Sequence, residues 1–312
     1  MGLRAKISNV EFQSYICNAS GPRDVTFEEL KAIAESYSSA ITMKSCTLEP
    51  RKGNEEPRYA SLPHGAIQSM GLPNLGYKEY LKIASSLKKY KKPIIASVAG
   101  LSMEDFPWLV RAFQASDANL IEVNLSCPNI DGKPQIAYDF DAVEELLEKI
   151  SNLGYKPLGL KLPPYYDLAH FRKMAKIISS HSIAFITCIN SIGNTLAIDY
   201  ENETSVIRPR EGLGGLSGEY IKPVALANVK IFRELLKDRI SIFGAGGIKS
   251  GEDAFEFLLA GADAVQVGTT FQKEGTRCFE RIVREFEFLM KRKGYNSINE
   301  VKGKLKLAEK KK

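Results

Sequence analysis

No stretch of the 312-residue chain approaches the roughly 18 uninterrupted apolar residues that a membrane-crossing helix requires, so no span is expected. The opening Met-Gly-Leu-Arg-Ala-Lys lacks the apolar segment of a secretory signal, and Lys6 stands where a myristoylation motif takes Ser or Thr. The five cysteines (Cys17, Cys46, Cys127, Cys188 and Cys278) are odd in number, widely spaced and never in a C-x-x-C pair. That pattern argues against a disulfide framework, a zinc site or an iron–sulfur cluster, and no metal is expected. A soluble protein of the reducing cytoplasm is the reading. An excess of one charge is also missing: 43 basic residues face 37 acidic ones, and the acids are interspersed throughout. The one dense basic run, Lys310-Lys311-Lys312, reads as a solvated tail near 308–312 and not as a nucleic-acid surface. No low-complexity linker divides the chain, so one domain over 1–312 is expected.

What is present is a repeat. Short branched or apolar runs recur at 15–19, 40–45, 93–99, 119–125, 157–162, 184–190, 241–245 and 264–269. Between them lie helical patterns such as TFEELKAIAESYS (26–38), DAVEELLEKISNL (141–153) and GEDAFEFLLAGA (251–262). Near-continuous apolar strands alternating with amphipathic helices imply a parallel sheet covered by helices. Eight such units in this length match a single (β/α)8 barrel, an α/β fold, better than an open doubly wound sheet. Two segments, 46–76 and 194–219, are too long to be connectors and read as inserted loops over the C-terminal mouth.

In such barrels chemistry sits at the C-terminal strand ends. There the sequence places Lys44, Asn124, Lys161, Asn190 with Ser191, Gly246 with Gly247, and Gly268 with Thr269. Any one could be a cap or a satisfied rim residue, but their coincidence is hard to explain that way. FGAGGIKSGED and VQVGTTFQKEG put small residues at strand-to-helix turns, where backbone N–H groups can face a phosphate. Lys161, sandwiched in GLKLPP, fits two chemistries: charge stabilisation on a bound flavin ring, or the Schiff base of a lyase.

Cys127 lies past the fourth strand in NLSCPNIDGKPQIAYDF, a polar setting with Pro128, Gly132 and Pro134 suited to a shaped lid. A thiol titrating near pH 8.5 is easily tuned into a proton acceptor. The flanking Asn124 and Asn129 offer the paired donor and acceptor that an imide-like ring demands. The other four cysteines read as small buried hydrophobes.

NLSCPNIDGKPQIAYDF, SMGLPNLGY, GNEEPRY, LPPYYDLAHF, INSIGN and GEYIKPVALANV together resemble the class 1A dihydroorotate dehydrogenases, over nearly the whole chain from about Asn18. The resemblance implies an FMN-containing barrel and a cytosolic homodimer. It implies an oxidoreductase of pyrimidine biosynthesis that converts (S)-dihydroorotate to orotate and reduces fumarate to succinate at the same site. It implies Cys127 as the base, and Lys44, Gln68, Met70, Gly71, Leu72, Asn124, Asn129, Asn190 and Ser191 around the substrate. For FMN it implies Ala19, Ser20, Lys44, Ser45, Asn124, Lys161, Ser217 and Gly218, with phosphate at Gly246, Gly247, Gly268 and Thr269.

Three positions depart from the family pattern: Gln68 where I-N-S-M-G-L-P-N has asparagine, Ser217 where glycine is usual, and Ser20 where alanine is usual. The added methylene of Gln68 either is absorbed or shifts the substrate acid, altering affinity or substrate choice. A dihydropyrimidine-type reductase would use the same Cys/Asn set, although retention of Lys44 counts against it. A tRNA dihydrouridine synthase would need a further RNA-binding region, and a Schiff-base lyase would rest on Lys161.

Overall fold

The computed structural model describes residues 2–126 and 135–309. Eight strands are formed by the expected apolar runs: β1 (Ile16–Asn18), β2 (Ile41–Thr42), β3 (Ile94–Val98), β4 (Leu120–Asn124), β5 (Leu158–Leu162), β6 (Phe185–Cys188), β7 (Ser241–Ala245) and β8 (Ala264–Val267). They pair in parallel, each beside its sequence neighbour from β2 through β8, and β8 returns to pair with β1. Strands covered on both faces need no polar alternation, which is why these runs are almost uniformly buried.

The barrel closes at β1 and β2 without a ladder. The Asn18 side chain supplies the missing rungs: its amide nitrogen donates to the Thr42 carbonyl at 2.7 Å, and its oxygen accepts from the Thr42 N–H at 2.9 Å. Ser39 N–H adds a bond to the Ile16 carbonyl at 3.0 Å.

Helices α1 (Phe27–Ala34), α2 (Tyr77–Leu87), α3 (Asp105–Gln114), α4 (Phe140–Ile150), α5 (Leu168–Ser180), α6 (Lys222–Leu236), α7 (Gly251–Ala260), α8 (Thr269–Glu274) and α9 (Arg277–Arg292) follow the strands. Their starts are set by local chemistry: Thr26 with Glu29 and Ser250 with Asp253 form reciprocal capping boxes on α1 and α7. The N-terminal hairpin, Ala5–Ile7 against Val10–Phe12, lies at the opposite end from the site. Its Ser8 N–H meets Ser241 at the start of β7, and its Phe12 ring packs edge-on to Phe243 at 5.8 Å.

The two long insertions are more than loops. Tyr59–Leu62 and Gly65–Gln68 form a hairpin, and Gly65–Gln68 pairs with Gly214–Gly218, which pairs with Ile192–Thr195. The result is a four-stranded antiparallel sheet over the C-terminal mouth, made of segments about 150 residues apart. No helix among the described residues is long and apolar enough to cross a membrane.

Candidate active site

The strand ends are shorter than the sequence suggests. β2 stops at Thr42, β6 at Cys188 and β8 at Val267, so Lys44, Asn190, Ser191, Gly268 and Thr269 all lie one to three residues past the strand, where single backbone bonds such as Asn190 N–H to the Leu162 carbonyl continue. Past the regular ladder, these residues line the mouth. A cavity of about 840 Å³ opens at this mouth beneath the four-stranded sheet. Every described residue expected at the site lines it: Ala19, Ser20, Lys44, Ser45, Gln68, Met70, Gly71, Leu72, Asn124, Lys161, Asn190, Ser191, Ser217, Gly218, Gly246, Gly247, Gly268 and Thr269. Cys127 and Asn129 lie outside the described residues.

The floor is a hydrogen-bonded chain. Asn124 donates from its amide nitrogen to Ser45 Oγ at 3.1 Å, and Ser45 Oγ is 2.8 Å from Ser97 Oγ and 3.1 Å from Ser20 Oγ. The Asn124 oxygen accepts from the Ser126 N–H at 3.1 Å, and Asn190 donates to the Ser126 carbonyl at 3.0 Å. With its acceptor side engaged, Asn124 keeps one N–H for a ligand, so the two amides are already oriented.

Below this floor sits a residue that a search of strand ends misses. Glu122, fully buried in β4, accepts from Thr187 of β6 at 2.7 Å, from Ser97 of β3 at 3.1 Å and from Gln266 of β8 at 3.4 Å. Burying a carboxylate is costly unless donors surround it, and three strands supply them. The sequence does carry a signal for it: Glu122 is the one acid in the otherwise apolar run LIEV.

Both mouth lysines are buried and rest on the turn after β1. Lys161 Nζ donates to the Ser20 carbonyl at 3.1 Å, and Lys44 Nζ donates to the Gly21 carbonyl. Lys44 Nζ is also 4.0 Å from Oδ1 of the fully buried Asp24, a second acid that strand-end reasoning misses. Burial pushes the Asp24 carboxyl up to about 7, against the lowering pull of Lys44, of the Gly21 N–H and of Lys161.

Gln68 bridges two neighbours, donating to Ser191 Oγ at 3.4 Å and accepting from the Met70 N–H at 3.1 Å. Gly215 permits this, since a Cβ there would meet Ser191 Oγ at 2.4 Å. The N–H of Met70, a residue expected around the substrate, is therefore engaged by the chain itself.

At the far side of the cavity lie the two turns expected to hold a phosphate. The first turn of α7 is not available to an anion, because Ser250 caps it and the Gly251 N–H donates to Glu285 at 2.8 Å. What remains is the backbone of Gly246, Gly247, Gly268 and Thr269. A Cβ built on Gly268 meets only Ala19 Cβ, at an ordinary contact distance of 3.7 Å, so this turn is uncrowded. A small-residue cradle for an anion at one side and two buried lysines at the other fit an elongated anionic cofactor of the FMN type. The four other cysteines are buried as expected, with the thiol of Cys278 pushed up to about 12 by desolvation and those of Cys17, Cys46 and Cys188 raised further.

Residues 2–290 match the family pattern described as Dihydroorotate dehydrogenase. The chain belongs to the dihydroorotate dehydrogenase family. It is 50% identical to Dihydroorotate dehydrogenase (fumarate) of Saccharomyces cerevisiae over 307 residues, covering 97% of this chain and 98% of that protein. It is 48% identical to Dihydroorotate dehydrogenase A (fumarate) of Lactococcus lactis subsp. lactis over 308 residues, covering 97% and 99%. Membership accounts for the barrel and for the cavity at its mouth. It supports neither the lyase reading of Lys161 nor a dihydropyrimidine-type reductase nor a tRNA dihydrouridine synthase.

Proposed function

We propose that this protein oxidises (S)-dihydroorotate to orotate in pyrimidine biosynthesis, with FMN as its cofactor and fumarate as the acceptor that becomes succinate. The observation that carries the reading is the convergence of Lys44, Asn124, Lys161, Asn190 and Ser191 on one cavity, in a chain half identical over its length to relatives of that printed activity.

The residues divide the work by chemistry. Lys44 supplies the charge-assisted bond to the carboxylate of dihydroorotate, and afterwards to one of fumarate. Asn124 and Asn190, pre-oriented by Ser45 and Ser126, present amides to the ring edge, with Asn129 completing the set. Lys161 and the turn at Ala19, Ser20 and Ser45 hold the ring system of the cofactor, with Ser217 and Gly218 from the covering sheet. The backbone of Gly246, Gly247, Gly268 and Thr269 holds its phosphate. A bound FMN would supply the redox chemistry, serving as acceptor for the C6 hydride of dihydroorotate and as donor to fumarate. Cys127 takes the C5 proton, which is the acidic one because C5 is α to a carbonyl, and a C5=C6 double bond results. The same thiol returns a proton to the acceptor, so both half-reactions share one site.

The four buried free thiols and the family support a cytoplasmic location. A homodimer is supported by Leu196, Ile198 and Tyr200, large side chains exposed together on the second insertion, which a second copy of the chain would cover. Light scattering of the purified protein tests that assembly.

An anaerobic visible spectrum tests the reaction. Flavin bands should bleach with dihydroorotate and return with fumarate, and Cys127→Ala should keep the bands while losing most turnover near neutral pH. Bands that stay unchanged with dihydroorotate would sink the proposal.

A further inference from the structure

Asp24 does not belong to the ligand-facing set, yet it is tied to Lys44 more closely than any other side chain. The Lys44 backbone N–H donates to the Asp24 carbonyl at 3.2 Å, so the two residues are held side by side across the β1–β2 seam. The Asp24 carboxylate accepts from the Gly21 N–H through Oδ2 at 2.7 Å, while the Lys44 ammonium rests on the carbonyl of the same Gly21. Oδ1 of Asp24 has no hydrogen-bond partner among the described residues and lies 4.0 Å from Lys44 Nζ. A buried carboxylate with one unsatisfied oxygen leans on the neighbouring ammonium for its charge balance.

We propose that Asp24 is a positioning residue for Lys44, and that it takes up one proton from solvent when a carboxylate-bearing ligand binds there. The inference rests on the dihydroorotate reading of the site. An incoming carboxylate draws the ammonium away from Gly21 and adds a second negative charge where one lysine had balanced one acid. In a cavity of low dielectric, two carboxylates sharing one ammonium do not both stay ionised. The ligand's acid is held by oriented donors, so the proton goes to Asp24. The carboxyl already titrates near 7 without a ligand, so the ligand has to raise it only modestly to cause uptake in the neutral range.

Four other groups face Asp24 and set the background. Lys44 and Lys161 favour its ionised form, Glu29 of α1 disfavours it, and the Tyr80 hydroxyl of α2 is held above its usual range, partly by Asp24 itself. None of these is removed by an Asp24 substitution, so the comparison isolates the carboxyl. Any contribution from Cys127 is also common to both proteins.

The sign of the linkage is fixed. Below the free-state pKa Asp24 is already protonated and no uptake occurs. Above it, ligand affinity falls as pH rises, approaching tenfold per pH unit for one linked proton, until the raised bound-state value is passed.

The test is calorimetric titration of the oxidised holoenzyme with orotate at about pH 8 in buffers of different ionisation enthalpy, which counts protons directly. The wild type should take up roughly half a proton or more, and Asp24→Asn, with its flavin spectrum intact, should lose that uptake and bind orotate with a flatter pH profile. Asp24→Ser serves in its place should the amide fail to give folded holoenzyme. Orotate binding without proton uptake, or uptake undiminished in the variants, overturns the role of Asp24 and leaves the dihydroorotate reading standing. No orotate binding at any pH overturns that reading itself.

Discussion

Gly268→Ala separates the cofactor cradle from the fold that carries it. Gly268 has a φ of −112°, in the range open to alanine, and the nearest contact for an added methyl is Ala19 Cβ at 3.7 Å. The folded chain should therefore accept the methyl without a clash, and the stability of the apoprotein should change little. The methyl would nevertheless stand in the room of the proposed phosphate site. Overfilling a fitted site costs about 1–3 kcal/mol, which is roughly a 5- to 150-fold weaker FMN affinity. Apoprotein titrated with FMN, read by quenching of flavin fluorescence, gives the affinity, and urea unfolding of the same apoprotein gives the stability. An FMN affinity within a factor of about two of wild type would refute the placement of the phosphate at this turn. Gly218 would be a poor probe of the same idea. Its φ is +86° and a Cβ there would meet Gly65 Cα at 2.4 Å, so alanine would damage the covering sheet before any ligand arrived.

Lys44→Ala should weaken orotate binding by roughly 10- to 100-fold, the worth of a charge-assisted hydrogen bond, and an unchanged dissociation constant would remove Lys44 from carboxylate recognition. Gln68→Asn should lower KM for dihydroorotate by about fivefold, because the shorter amide cannot hold Ser191 and the Met70 N–H together and frees that N–H for the substrate. A KM unchanged in steady-state assays would count against it. Asp24 should also imprint a pH dependence on stability. Its folded carboxyl titrates near 7 against roughly 3.9 unfolded, so the native state holds the extra proton and stability falls as pH rises between those values. The loss amounts to about 4 kcal/mol at most. Asp24→Asn should flatten it in urea unfolding between about pH 4 and pH 8, and parallel wild-type and variant curves would refute the shift.

Much of the architecture is legible because the barrel writes its strands as apolar runs. The eight runs each produce a strand, and the residues after them meet at one cavity. Periodicity cannot show where strands stop: 40–45 is apolar enough for six residues of strand, yet the strand covers only Ile41 and Thr42, with separate bonds from Met43 to Ile95 and from Cys46 to Ser97 carrying the chain on beside β3. Nor can it reveal the covering sheet. Tyr59–Leu62 and Gly65–Gln68 give no local hint that their partner lies at Gly214–Gly218, since strand partners far apart in sequence are chosen by the closed fold. Asp24 is hidden for a similar reason. In SGPRDVTFEEL it looks like a loop acid before a helix, and only the seam that brings Lys44 beside it makes it buried.

That seam has a consequence for how the molecule endures. Elsewhere the barrel is stitched by backbone ladders, but β1 and β2 are joined by the Asn18 side chain and by scattered bonds from Ser39, from the Lys44 N–H to Asp24 and between Ser20 and Ser45. Residues on both banks, Ala19 and Ser20 on one and Lys44 and Ser45 on the other, line the cavity. A molecule seated there grips both banks and works as a clasp over the weakest joint of the hoop. Loss of the proposed FMN should then loosen the N-terminal quarter of the barrel before the rest, tying the protein's lifetime to the supply of that ligand.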